Sequence, residues 1–367
     1  MKNISVIGIG KLGLCFSLTL EKAGYNVLGV DISFPYINSI NNKTLNSSEP
    51  NVETYLESSK NFRATIDLKE TIDFSDIIFV VVSTPSLENG RYDHAQIDNL
   101  INKLEAFGPQ EKQKHFIVCC TTMPGYCDSI KNRLNSNNYT VSYNPEFIAQ
   151  GTILKDQAYP DMVLIGEANE KVGNLIEEIY ANHTFNKPRF CRMTPLEAEI
   201  TKISLNCFLT TKIAYTNMIG DIVHKSGGRP DVVLHAIGAD SRIGGKYLCY
   251  GYGYGGPCFP RDNRALGIYA NDIKLSAKIS EATDLSNSLH LDYQVKSFLN
   301  SHDKNTEVLF DTVSYKPEST LLIESQQLKF AVALAEKGLK VKIKERKSVI
   351  EEIRKEYENL FSYEERY

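Results

Sequence analysis

The sequence predicts an α/β protein: an N-terminal doubly wound parallel sheet, a long central helix leading into a helical region, and part of a second α/β domain. Three observations carry this. Short apolar runs alternate with amphipathic stretches as far as residue 190. One helix-compatible segment then runs from Thr194 to about Ser226, and strand–helix alternation resumes after Val308.

Ile4–Gly8, Val27–Asp31, Ile77–Val82 and Phe116–Cys120 are short and apolar throughout, as strands buried on both faces must be. Leu12–Ala23 and Asp93–Phe107 between them have helical spacing. Thr194-Pro195-Leu196-Glu197 is a strong helix start, with Thr as cap, Pro at the first helical position and Glu three residues after the cap. Gly227-Gly228 stops that helix about 32 residues later, which makes it about 48 Å long. A helix of that length joins two domains or lines a dimer interface. Further helices extend to about residue 300. Val308–Val313 then reads as a strand, Leu328–Lys337 as a helix ended by Gly338, Lys340–Lys344 as a strand and Ser348–Tyr357 as a charged helix. This is half of an α/β domain, and half a sheet leaves an edge that a partner chain or the charged tail Ser348–Tyr367 must cover. The expected divisions are 1–193, 194–300 and 301–367.

Composition limits the function. The chain of 367 residues is 42% hydrophobic and 23% charged, an ordinary globular balance, and no apolar run approaches the ~18–20 residues of a membrane span. The N-terminus enters a strand without a signal-peptide pattern, so a cytoplasmic location is expected. A net charge of −4 argues against a nucleic-acid surface, so an anionic ligand needs local cations and backbone donors. The cysteines at 15, 119, 120, 127, 191, 207, 249 and 258 form no CxxC pair and no zinc spacing, and no metal is expected. Most read as small core hydrophobes.

Gly8-Ile9-Gly10-Lys11-Leu12-Gly13 is a G-x-G-x-x-G turn between the first strand and the first helix. Its glycines permit a tight turn, close approach of backbone to a pyrophosphate, and close helix–strand packing, so the sheet is expected to be of Rossmann type. The second strand ends in Asp31, about 20 residues on, where an acid accepts the ribose hydroxyls and repels a 2′-phosphate. NAD is therefore expected over NADP, held by Gly8, Gly10, Lys11, Leu12, Gly13 and Asp31.

Gly251-Tyr252-Gly253-Tyr254-Gly255-Gly256-Pro257-Cys258-Phe259-Pro260-Arg261-Asp262 is the most informative stretch. A glycine-rich loop offers backbone N–H groups to an anion and delivers a cysteine beside Arg261 and Asp262. Alone, it reads equally well as a structural cysteine next to a flexible loop.

That stretch matches G-x-G-x-G-G-x-C-F-P-[KR]-D, and the chain resembles the UDP-glucose/GDP-mannose dehydrogenase family. Other segments agree in order: Val82-Ser83-Thr84-Pro85, Thr121-Thr122-Met123-Pro124, Asn144-Pro145-Glu146-Phe147, Pro160-Asp161 with Leu164-Ile165-Gly166, and Lys202 with Asn206 four apart on one helix face. By composition alone Lys202 would be a snorkelling helix lysine and Glu146 a loop carboxylate. The resemblance implies an NAD-dependent, four-electron oxidation of the C6 primary alcohol of a nucleotide sugar to a carboxylate, as from UDP-glucose to UDP-glucuronate. It implies Cys258 as nucleophile, Lys202, Asn206 and Asp262 handling charge and protons, and Glu146 with Thr122 activating water. It also implies Ser83, Thr84, Pro85, Thr121 and Gln150 on the cofactor, and Glu146, Phe147, Gln150, Lys202, Asn206, Arg242, Tyr247, Tyr250, Gly251, Gly255 and Lys316 on a UDP-sugar. The same chemistry on GDP-mannose or a UDP-N-acetylhexosamine is the alternative, or a relative that binds a sugar nucleotide without turnover. A homodimer packed through the long helix is expected. The chain departs from the pattern at Gln150, where a second Glu is frequent, at Tyr36, where a base is common, and at Asp311, Leu321 and Ile323. The second half of the last domain, which in the family completes the nucleotide pocket, is missing from the pattern.

Overall fold

Among the described residues eight strands form one sheet in the order β3-β2-β1-β4-β5-β6-β7-β8, with β1 Asn3–Ile7, β2 Asn26–Val30, β3 Phe62–Thr65, β4 Ile77–Val80, β5 Lys114–Val118, β6 Tyr139–Tyr143, β7 Met162–Gly166 and β8 Arg189–Met193. The computed structural model describes residues 2–148, 151–303, 305–317 and 319–366. β1 to β6 are parallel, and β7, parallel to β8, meets β6 antiparallel at Tyr143 and Gly166. The reversal between β1 and β4 is the switch point at whose strand ends open α/β sheets bind their ligands. The expected parallel sheet is therefore present, widened by an antiparallel join.

Apolar side chains cover both faces. One cluster packs Leu14, Phe16 and Leu18 of the Lys11–Lys22 helix with Ile176 and Ile179 against the sheet. The other packs Ile97, Ile101 and Leu104 of the Ala95–Phe107 helix with Ile130 and Leu134. β4 and β5 are buried at every position; β4 is apolar throughout, whereas β5 opens with the buried Lys114 and His115 before its apolar Phe116–Val118.

The chain divides into two compact units, Met1–Lys202 and Ile203–Tyr367. The helix Pro195–Lys225 is common to both and runs 31 residues, about 46 Å. Its cap forms as expected: the Thr194 N–H donates to Glu197 Oε2 at 2.8 Å, and the Glu197 N–H donates to Thr194 Oγ1 at 3.4 Å. Gly227, with φ +78°, and the bond from the Gly228 N–H to the Val223 carbonyl end it.

The second unit continues with helices Pro230–Gly238, Phe259–Asp272 and Lys278–Ser301 and a parallel sheet in the order β11-β10-β9, formed by β9 Glu307–Phe310, β10 Lys340–Glu345 and β11 Ser362–Glu365. One expectation is corrected here. The strand expected over Val308–Val313 ends at Phe310, because the buried Glu345 carboxylate draws the next residues out of the ladder. It accepts from the Thr312 and Ser314 hydroxyls and from the Val313 and Ser314 N–H groups. Of the two covers expected for the sheet edge, the charged tail supplies one. Its helix, Lys347–Tyr357, buries Val349, Ile350 and Ile353, and β11 then pairs along β10, so the tail itself covers one edge of the half sheet.

Candidate active site

The turn after β1 is shaped by steric necessity. Gly8 has φ +85°, and a Cβ there would stand 2.6 Å from the Val81 carbonyl oxygen; one on Gly13 would stand 2.0 Å from the Gly8 oxygen. A Cβ on Gly10 would meet nothing within 4 Å. Gly10 caps the Lys11–Lys22 helix with no side-chain bond and no acid in its first turn, so the first backbone N–H groups remain available to an anion. Tyr36 donates its hydroxyl to the Ile9 carbonyl at 2.9 Å and so holds this turn directly. Asp31, just past β2, accepts from the Ser33 N–H at 3.3 Å. Across the switch point the buried Thr84 hydroxyl donates to the Thr121 carbonyl at 2.7 Å, joining two of the expected cofactor loops, while Ser83 and Pro85 are exposed. This bare, donor-rich turn fits a dinucleotide. Gln150, expected on both cofactor and substrate, lies outside the described residues.

Within the first unit, Lys202 donates from Nζ to the Glu146 carbonyl at 2.7 Å and stands 4.2 Å from the centre of the Phe147 ring. The Tyr180 hydroxyl donates to Glu146 Oε1 at 2.8 Å. Desolvation raises the Glu146 carboxyl to about 6, against the opposing pull of Tyr180 and Lys202. A carboxylate so placed is poised for proton transfer near neutral pH. Thr122 is fully buried and donates to Oε1 of Glu199, a buried carboxylate on the long helix three residues before Lys202. Glu199 also accepts from the Gly125 and Cys127 N–H groups at 2.7 and 2.9 Å, tying the whole Thr121–Pro124 turn to that helix.

Within the second unit, Cys258 is exposed at the N-cap position of the Phe259–Asp272 helix, whose dipole favours a thiolate. Asp262, one turn on and fully buried, accepts from Asn206 Nδ2 at 2.6 Å and from Arg261 Nε at 3.1 Å. Most other thiols are buried, and burial pushes those of Cys15, Cys120 and Cys207 up to about 12. Only Cys249 shares the exposure of Cys258. The loop before Cys258 packs tightly on the segment that follows β9. A Cβ on Gly255 would stand 2.3 Å from the Glu324 oxygen, and the Gly256 N–H donates to the Ile323 carbonyl at 3.0 Å. Ile323, a departure from the expected pattern, thus serves through its backbone.

Residues 2–184 match the UDP-glucose/GDP-mannose dehydrogenase family's NAD binding domain, and residues 196–288 match its central domain. The chain belongs to this family. It is an NAD-dependent nucleotide-sugar dehydrogenase. UDP-glucose 6-dehydrogenase of Rickettsia prowazekii is 29% identical over 349 residues, covering 93% of this chain and 80% of that protein. GDP-mannose 6-dehydrogenase of Pseudomonas aeruginosa is 29% identical over 358 residues, covering 94% and 81%. A UDP-glucose dehydrogenase structure from Pyrobaculum islandicum superposes with a TM-score of 0.87 at 25% identity, covering 100% of this chain and 86% of that one.

For a dehydrogenase of this family the expected residues fall into three groups: the turn with Asp31, the Lys202–Glu146–Phe147 set, and the Cys258–Asp262–Asn206 set. Arg242 joins none of these; its guanidinium is exposed and pairs with Asp240. Tyr247 is exposed at φ +65°, and Lys316 is half-buried near the Tyr315 ring. The Tyr250 hydroxyl donates to Asp221 at 2.7 Å. Glu199 was missed by the sequence reading. Its spacing from Lys202 was visible, but nothing in its type separates a buried glutamate from a solvated one.

Proposed function

We propose that this dehydrogenase oxidises the C6 alcohol of UDP-glucose to the carboxylate through covalent capture on Cys258, and that it does so as a homodimer. The observation that carries the chemistry is Cys258 itself, an exposed thiol at a helix N-terminus one turn before a buried Asp262 that is bonded to Asn206. NAD, held by the Gly8–Gly13 turn and Asp31, would supply the hydride acceptor for each of the two oxidations. The chain's own groups do the rest. Asp262 takes up the proton of the C6 hydroxyl while the Lys202 ammonium stabilises the charge that develops on that oxygen. The Cys258 sulfur adds to the aldehyde carbon, and the resulting oxyanion is stabilised by the Lys202 ammonium and the Asn206 amide. Loss of the second hydride leaves a thioester. Glu146, ionised above about pH 6, draws a proton from the attacking water, and the sulfur departs as thiolate. In sum one alcohol, one water and two hydride acceptors give one carboxylate, two reduced acceptors and three protons. Thr122 is assigned to positioning through its bond to Glu199.

Glucose is favoured by the N-P-E-F segment and by the UDP-glucose relatives; the GDP-mannose relative of equal identity makes the sugar the point to test. With a panel of UDP-glucose, UDP-N-acetylhexosamines and GDP-mannose, the expected result is two NADH per acid formed, fastest on UDP-glucose. NADP should be used poorly, because an acid such as Asp31 at the end of the second strand would repel a 2′-phosphate. A ratio of one would remove the four-electron route, and equal rates with NADP would remove the role of Asp31.

The dimer rests on the long helix, where Phe208, Tyr215, Met218 and Ile222 are exposed at spacings of seven, three and four, forming one apolar stripe. Ile203 of the same helix is buried. Self-pairing through a two-fold axis is the commonest way to cover such a stripe. Light scattering at micromolar concentration should give twice the chain mass, and Phe208→Glu together with Ile222→Glu should give the monomer. An active monomer of the unmodified protein would overturn this assignment. Among the described residues no helix is long and apolar enough to cross a membrane.

A further inference from the structure

The loop that leads to Cys258 is gripped by a polar stripe on one face of the Lys278–Ser301 helix, formed by Asp284, Asn287, His290 and Gln294 at spacings of three, three and four. Asn287 reads both backbone groups of Tyr254, accepting from its N–H at 2.9 Å and donating to its carbonyl at 3.0 Å. Asp284 accepts from the Tyr254 hydroxyl. Gln294 donates to the Gly251 carbonyl at 3.1 Å. From the long helix, Asn217 accepts from the Gly251 N–H and donates to the Tyr252 carbonyl, each at 3.2 Å.

His290 holds the central place. It is buried, with Nε2 2.6 Å from the Gly251 carbonyl oxygen and Nδ1 2.9 and 3.0 Å from the two Asp221 oxygens. Both partners are acceptors. A neutral imidazole carries one N–H and would turn a lone pair on the other oxygen, whereas an imidazolium donates to both. The titratable groups around the pair are Tyr250, whose phenol also donates to Asp221, and Tyr293, whose phenol bonds His224 at 2.7 Å. Burial and Asp221 both push the Tyr250 phenol upward, so it stays neutral and donates to Asp221.

We propose that His290, protonated on both ring nitrogens, is a positioning residue for Cys258: it clamps the Gly251 carbonyl to Asp221 and so fixes the backbone that delivers the nucleophile. The proposal rests on the reading of Cys258 as nucleophile. A second donor on the same carbonyl, from Gln294, makes Gly251 the anchor of the loop. Five residues later the chain reaches Gly256, whose φ of +81° and closeness to the Tyr315 ring leave it little freedom. Freed at Gly251, the loop loses the first of its fixed points.

Three measurements test this. Nitrogen-15 spectra of the imidazole in the unmodified protein at pH 7.5 should show both ring nitrogens of His290 protonated; a neutral ring overturns the proposal whether or not any variant folds. His290→Phe, which donates nothing, should lower kcat about tenfold to a hundredfold, with KM for NAD unchanged. His290→Gln, which keeps one amide donor for Gly251, should recover part of that loss. The rate of Cys258 alkylation by iodoacetamide, resolved from Cys249 by mass spectrometry, should change several-fold in the Phe variant. Folded variants with unchanged kcat and unchanged Cys258 alkylation overturn the proposal. The spectra and the alkylation need no turnover, so they separate failure of this role from failure of Cys258 as nucleophile.

Discussion

Cys258→Ser is expected to yield a folded protein that binds NAD and the nucleotide sugar but forms acid at less than about a thousandth of the unmodified rate. The site is exposed at a helix start, so the exchange of sulfur for oxygen disturbs little packing. What it removes is nucleophilicity at neutral pH. A helix N-terminus can populate a thiolate, whereas a serine alkoxide lies far out of reach. Alcohol-to-aldehyde oxidation does not use the sulfur, so the variant should release at most one NADH per sugar, with aldehyde and no acid by mass. Cys249→Ser, at the other exposed thiol, should keep acid formation. Acid produced at the unmodified rate by the Cys258 variant would remove the covalent route altogether.

Lys202→Ala carries the second large expected effect, a loss on the order of a hundredfold or more in kcat for both oxidations, because charge develops on oxygen in each. It has a second signature in pH. Lys202 pulls the Glu146 carboxyl downward against the desolvation that raises it, and with both acting it stands at about 6. The base must be ionised to activate water, so activity falls as pH drops through that value. Without the ammonium the carboxylate is less favoured, its titration moves up, and the acid limb of the rate profile should shift to higher pH. A Lys202→Ala profile whose acid limb stays near 6 would place Glu146 outside the rate-determining chemistry.

Much of this was legible because the groups concerned announce themselves by pattern. Gly8, Gly10 and Gly13 obey a backbone requirement that only glycine meets, and Thr194-Pro195-Leu196-Glu197 obeys a capping requirement. β4 shows its burial at every residue. β3, β6, β7 and β8 were not assigned as strands: Phe62–Thr65 and Arg189–Met193 lie at the two ends of the sheet with mixed composition, Tyr139–Tyr143 alternates polar with apolar residues, and the apolar Met162–Gly166 was read only as a motif. The second layer of the site was equally hidden. Glu199, Asp221 and His290 have the composition of surface residues and act through burial, which sequence does not display. Arg242 was assigned by motif alone, and the structure gives it Asp240 as partner.

The pairing of β11 with β10 has a consequence for how the protein is made. The order β11-β10-β9 puts the strand made last on one side of β10 and the first-made on the other. During translation β9 and β10 can meet as soon as both have emerged, but β10 then presents an unpaired edge to the cell until residues 362–365 are synthesised. Phe361, buried in the finished unit, is equally late. A nascent chain stalled between codons 346 and 361 would therefore offer chaperones a sticky half-sheet, and premature stops in that interval should surface as degradation or inclusion bodies rather than as weakened catalysis.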